Sequence, residues 1–181
     1  NLKRLYLQVK RDFIRVDADE LTYPLHIILR FEIERDLING DIEVKDIPEL
    51  WDLKMFEYLS LDTKGNFRDG CLQDVHWPSG LFGYFPSYTI GAMTAAQLFR
   101  SAKNSKPTLL SSIEDGDFSE LVDWLRVNIH SRASCATFDH LLVDATNEKL
   151  NSQHFADHLK LRYRSALQSL NKNEPALAAS D

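Results

Sequence analysis

The run YPLHIILRFEIERDLIN, from Tyr23 to Asn39, decides the fold class of this chain. Its leucine, isoleucine and phenylalanine residues spread over a broad helical face instead of alternating as in a strand. Pro24 is tolerated in a first turn, and Gly40 stands where a helix stops. The same period returns on either side. Upstream, Leu2, Leu5, Val9 and Phe13 recur at near-helical spacing in LKRLYLQVKRDFI, predicting an earlier helix. Downstream, DIEV (Asp41 to Val44) reads as a short strand or an extended connection. Asp46, Pro48 and Glu49 then mark a new helix whose apolar side holds Leu50, Trp51, Leu53, Met55, Phe56 and Leu59. Further helices are predicted from Ala92 to Ala102, after the capping-box spacing DFSE (Asp117 to Glu120), from Phe138 to Asp144, and from about Ser152 to Leu170. The expected fold is all-α or nearly so, over residues 1–170, with a frayed tail at 171–181.

Composition excludes several classes of function. With 44% hydrophobic and 27% charged residues, the 181-residue chain is ordinary globular material. A net charge of -6 and scattered basic residues leave no electrostatic footprint for nucleic acid. Lys3, Arg4, Lys10 and Arg11 read as the solvated face of the first predicted helix. No apolar run approaches the length of a membrane span. Cys71 and Cys135 have no metal-site spacing and suggest a reducing compartment, so a cytoplasmic location is expected.

One segment stands apart. GCLQDVHW (Gly70 to Trp77) runs directly into PSGLFGYFPSY, which ends at Tyr88. Glycine and proline at positions 78, 80, 83 and 86 break any regular period, and the irregular region extends from Asp62 to Gly91. Gln73, Asp74, His76, Trp77, Tyr84 and Tyr88 crowd into it, and polar and aromatic side chains on irregular backbone are how binding sites are commonly built. The competing reading is a buried aromatic loop in which His76 and the tyrosines satisfy backbone groups.

The spelling resembles a known family. GCLQDVHW fits the G-x-x-Q-D-x-H-W pattern of the M32 metallocarboxypeptidases, the carboxypeptidase Taq type, and IRVDAD (Ile14 to Asp19) fits their I-R-x-x-A-D pattern. LHIILRFEIE (Leu25 to Glu34) and GYFPSYTIG (Gly83 to Gly91) are also similar to that family. The likeness runs from about residue 5 to 165 in the family's order. Family members carry an H-E-x-x-H helix and an H-E-S-Q glutamate upstream of these two motifs, and neither occurs in this sequence, which opens on Asn1. The resemblance therefore implies the C-terminal segment of a longer helical, zincin-type (neurolysin-like) enzyme with a substrate groove. Zinc, with cobalt the alternative, would be bound by the missing upstream part, and no metal ligand is assigned within this chain. The segment alone is expected to be inactive. The partners implied are peptides with a free C-terminus, the N-terminal part of the same enzyme, and a second copy in a homodimer. Single C-terminal residues would be hydrolysed by metal-activated water.

Within that reading Arg15 is the candidate for binding the substrate carboxylate, because its planar fork matches that group with two parallel hydrogen bonds. Asp17 and Asp19 would orient it. The competing reading is a helix-surface ion pair between Arg15 and Asp19, four residues on. His76 is the candidate oxyanion donor, with Tyr84 placed ahead of Tyr88 as a phenol that could do the same and the choice left open. Gln73 and Asp74 would anchor the loop or orient His76. Trp77, Phe82 and Phe85 read as packing.

The remaining histidines carry less. His154 and His158 have the i, i+4 spacing of a zinc helix, but Phe155 stands where a catalytic glutamate would be, and an exposed polar face is the better reading. His26 is expected to pack or hydrogen-bond near the motif arginine. His130 and His140 have no evident partner, and SRASCATF departs from the family's spelling after His130. Ser60 stands where the family tends to have glycine. The alternative to a peptidase segment is a non-catalytic helical binding or regulatory domain derived from one.

Overall fold

The computed structural model describes residues 7–132 and 134–164, and among them no strand is present. They fall into two compact units, one formed by residues up to Ile90 together with those from Arg162, the other by Gly91–Leu161.

In the first unit, α1 (Tyr23–Asn39) lies where the periodicity put it. Pro24 sits in its first turn, and Gly40 closes it at φ 79°, donating its backbone N–H to the carbonyls of Asp36 and Leu37. DIEV is neither strand nor simple extension: it bends into a short 3-10 turn, Val44–Asp46, that feeds α2 (Ile47–Leu59). The left-handed residue ending α2 is Ser60, at φ 55°. Leu29 and Ile33 of α1 interlock with Trp51, Met55 and Leu59 of α2, all essentially buried, with Phe13, Leu25 and Trp77 against them. Burying each such side chain is worth about 1.5–3 kcal/mol.

Two expectations fail here. The helix expected over residues 2–13 is absent from its described part: residues 8–14 follow no regular period, and a single 3-10 turn, Arg15–Asp17, follows. Competing local bonds explain this. The Lys10 backbone N–H goes to the Asp19 carboxylate and that of Phe13 to Asp12, offering the backbone alternatives to a helical ladder. Leu2 and Leu5 lie outside the described residues. Likewise α3 (Pro86–Ser105) starts well before Ala92, because Pro86 is compatible with a first helical turn and Gly91 is tolerated inside.

The second unit is built from the rest of α3, then α4 (Leu109–Glu114), α5 (Ser119–Asn128), α6 (Phe138–Thr146) and α7 (Gln153–Leu159). Its core gathers Ala102, Leu109, Trp124 and Ala145, with Leu121, Leu125 and Ile129 alongside as the apolar face of α5 predicts. The capping box is half right. Asp117 accepts from the Ser119 N–H, whereas Glu120 accepts from the hydroxyls of Thr108 and Ser112, tying α5 to the short α4 that the sequence reading missed. Residues Lys160–Arg164 continue as a π-helical turn, and the predicted continuation to Leu170 and the tail at 171–181 lie outside the described residues.

Candidate functional site

The site lies wholly in the first unit and is assembled from the turn Arg15–Asp17, the loops carrying Gly70–Trp77 and Tyr84, the first turn of α3 and one face of α1. The turn Arg15–Asp17 meets the loop Gly70–Trp77 through a side-chain amide. Gln73 Oε1 accepts from the Arg15 backbone N–H at 2.9 Å, while Gln73 Nε2 donates to the carbonyls of Phe13 (2.9 Å) and Asp69 (2.7 Å). One glutamine thus does for the unpaired segment what a neighbouring strand would. The loop's own shape depends on Gly70, where a Cβ would stand 2.6 Å from the Asn66 carbonyl oxygen. That contact explains the glycine that opens the motif.

Asp74 is the electrostatic centre. Its Oδ1 accepts from Arg15 Nε (3.0 Å) and Nη2 (2.8 Å), and its Oδ2 accepts from Arg30 Nε at 2.6 Å. All three side chains are at most one-tenth exposed. Burial alone would raise the Asp74 pKa, but the two guanidinium groups outweigh it and hold the carboxyl below its usual range. Burial also opposes the charge of Arg15, and the bonds to Asp74 reverse that. Arg15 donates further from Nη1 to the Tyr23 hydroxyl at 2.8 Å, and its guanidinium lies 4.9 Å from the centre of the Tyr88 ring.

His76 is 6% exposed, with Nδ1 3.6 Å from Asp74 Oδ1 and Nε2 2.9 Å from the Tyr88 hydroxyl. Burial lowers its proton affinity, Asp74 restores part of it, and the two arginines lower it again, so the ring is neutral at pH 7. Burial raises the Tyr88 phenol, keeping it protonated. Tyr84 packs edge-on against Tyr88 and is 45% exposed. The aromatic platform is held from α1: Glu34 accepts from Trp77 Nε1 at 2.7 Å and from the Gly83 backbone N–H. Phe85 is buried between the His76 ring and Trp77.

The structure therefore brings Arg15, Gln73, Asp74, His76, Tyr84 and Tyr88 into one cluster. It differs from the sequence reading in three respects. Arg15 pairs with Asp74 and not with Asp19, whose carboxylate receives the N–H groups of Leu21 and Thr22 ahead of α1. Phe82, expected to pack, is 48% exposed. His26, expected to pack or hydrogen-bond near the motif arginine, does lie fully buried beside the cluster, and it gives its backbone carbonyl to Arg30 Nη1 at 2.7 Å. Arg30 itself was missed: a charged residue on an apolar helix face carries no signal until its partner, forty-four residues away, is known. In the second unit, His154 bonds to Glu148 and His158 stacks on Phe155, so the i, i+4 pair does not converge as ligands would.

Comparison with known proteins identifies the family. The model of the carboxypeptidase Taq (M32) metallopeptidase family matches residues 1–163. Carboxypeptidase 1 of Bacillus subtilis is 43% identical over 154 residues, covering 85% of this chain and 30% of the relative. Among solved structures, metallocarboxypeptidase 1 of Trypanosoma cruzi superposes with a TM-score of 0.88 at 47% identity, over 91% of this chain and 34% of that one. The M32 carboxypeptidase of Deinococcus radiodurans gives 0.87 at 37% identity, over 91% and 33%. The chain thus spans about a third of the length of the relatives it matches.

Proposed function

The chain belongs to the carboxypeptidase Taq (M32) metallopeptidase family, and from that premise we propose that it forms the substrate-recognising part of a metallocarboxypeptidase that removes single C-terminal residues from peptides. One observation carries the reading: all six candidate side chains, drawn from positions 15, 73, 74, 76, 84 and 88, meet in one cluster. Arg15 is the carboxylate ligand. Asp74 and Tyr23 engage three of its five N–H groups, which fixes the plane of the fork and leaves the rest of it for a substrate carboxylate. His76 and Tyr88 share one hydrogen bond; with His76 Nε2–H donating to the phenol oxygen, the ring orients the Tyr88 O–H to donate to a developing oxyanion, with Tyr84 the exposed phenol beside them.

Among the described residues no group of three or more His, Cys, Asp and Glu side chains could hold a metal ion. The donors among the described residues do not fit the metal centre that the family name implies. We take that metal to be zinc, with cobalt the alternative, held by polypeptide outside this chain. The exposure of the large apolar side chains Ile28, Phe31 and Ile38 of α1 and Leu53 and Phe56 of α2 is of the kind that packing normally removes. It supports a reading in which further polypeptide seats on this unit, and the segment alone is inactive. We expect the complete enzyme to be a cytoplasmic homodimer. Among the described residues no helix is long and apolar enough to cross a membrane.

The test is Arg15→Ala in the complete enzyme, assayed on a peptide with a free C-terminus. Loss of a charge-assisted bidentate contact is expected to lower kcat/KM by on the order of 100-fold or more. An unchanged kcat/KM would remove Arg15 from the role and return the cluster to a structural one.

A further inference from the structure

We infer that Arg30 is a positioning residue of this site: from α1 it fixes the Asp74 carboxylate and, through it, the guanidinium of Arg15 and the ring of His76. The inference rests on the reading of Arg15 as the carboxylate ligand and deepens it.

The argument starts from where the charge stands. Arg30 is 0% exposed, on the face of α1 that packs against Trp51 and Phe85, with its guanidinium carbon 4.5 Å and 5.7 Å from those ring centres. An ion network in such a place is weak evidence for stability, because apolar residues of similar volume often serve as well or better. Something other than stability must account for an arginine here, and its contacts indicate what. Nε donates to Asp74 Oδ2 and Nη1 to the His26 carbonyl, so two ends of the guanidinium are held while the rings clamp its faces. An anchor so restrained cannot drift, and it is tied to the helix that forms the core.

The consequence reaches the other oxygen of Asp74. Arg15 contacts only Oδ1, in a pair of bonds that by itself would let the carboxylate swing about its own axis. Arg30 on Oδ2 removes that freedom. With both oxygens fixed, Oδ1 is held at one distance from Arg15 and at 3.6 Å from His76 Nδ1. Burial lowers the Arg30 pKa to about 10, which leaves it charged at neutral pH and able to hold Asp74 ionised.

The experiment is a double-mutant cycle in the complete enzyme, with rates on a free-acid peptide normalised to folded protein by near-ultraviolet circular dichroism. Arg30→Lys keeps the cation and the aliphatic stem but loses the fork that reaches Asp74 and the His26 carbonyl together. It is expected to lower kcat/KM by on the order of 10- to 100-fold, as a small misplacement of a substrate contact does. If Arg30 acts through Asp74 on Arg15 and His76, the double variant with Arg15→Ala loses less than the product of the two single losses, because the part carried by Arg15 is already gone. A purely structural role predicts instead that the losses multiply. Arg30→Met, which fills the same space without the charge, answers the same question if the lysine variant folds poorly. An Arg30→Lys rate within twofold of wild type, or multiplying losses, overturns the inference. An Arg15→Ala rate unchanged from wild type would instead sink the carboxylate reading on which it stands.

Discussion

Replacing Asp74 by asparagine is the most severe isosteric change the cluster offers. The carboxylate is 10% exposed and takes charge-assisted bonds from two arginines that are 7% and 0% exposed. Asparagine keeps the shape but offers one acceptor oxygen. If that oxygen serves Arg15, the new NH2 faces Arg30 Nε, a donor against a donor, and a buried guanidinium is left without its anion. Removing one partner of a buried pair costs about 3–5 kcal/mol, because the remaining charge cannot return to water. The matching surface change is Asp36→Asn, whose partner Arg35 is half exposed, and it should cost about 1 kcal/mol at most. The measurement is urea unfolding of both variants, followed by tryptophan fluorescence. The sign of the pH dependence follows from Asp74. Its folded pKa is depressed, so the stability it confers is present above the unfolded carboxylate range and is lost as pH falls through the lower folded value. The deficit of Asp74→Asn should be full at pH 7 and fade only in strong acid. A cost at pH 7 no larger than that of Asp36→Asn would refute the claim that Asp74 neutralises two buried cations.

Gly70→Ala should cost about 1–3 kcal/mol, since a Cβ 2.6 Å from backbone Asn66 forces the loop to shift, and activity of the complete enzyme should fall with it; a urea midpoint equal to wild type would count against the clash. Ser60→Gly should stabilise by about 0.5–1 kcal/mol by relieving a left-handed residue at the end of α2, read as a higher urea midpoint with unchanged slope. His26, driven down to about 4 chiefly by burial and then by Arg30, makes the fold acid-sensitive: the unfolded chain takes up a proton near pH 6.5 that the folded chain refuses until about 4. Stability should therefore decline by about 3 kcal/mol across that window, and His26→Phe should flatten the decline in a pH series of urea midpoints.

The helices were legible wherever one face was apolar and the ends carried their signals, as in α1 with Pro24 and Gly40. They were misread where a breaker is compatible with a helix, as at Pro86 and Gly91, or where side chains compete for the backbone, as at Lys10 and Asp12. The site was legible through its spelling, since the two motifs contain Arg15, Gln73, Asp74 and His76. Periodicity could not show that Arg15 would reach across to Asp74 and ignore Asp19, because pairing across a loop leaves no trace in local spacing. For the same reason neither Glu34 nor Arg30 was singled out. Their meaning depends on Trp77, Gly83 and Asp74, which the chain brings to them only after folding.

That dependence also sets an order of assembly. The core of the first unit comes from α1 and α2, neighbours in sequence joined by a short turn. The cluster is closed by bonds spanning 58, 59 and 44 residues. Closing a long loop costs chain entropy before any contact repays it, so local helices form ahead of distant pairings. A refolding chain thus has a packed helical hairpin before the loop carrying Asp74 closes on it, with Arg30 already on its surface. The later loop does not build a site from nothing. It arrives at a socket whose charge is waiting for it, and recognition of the chain's own aspartate comes before recognition of any substrate.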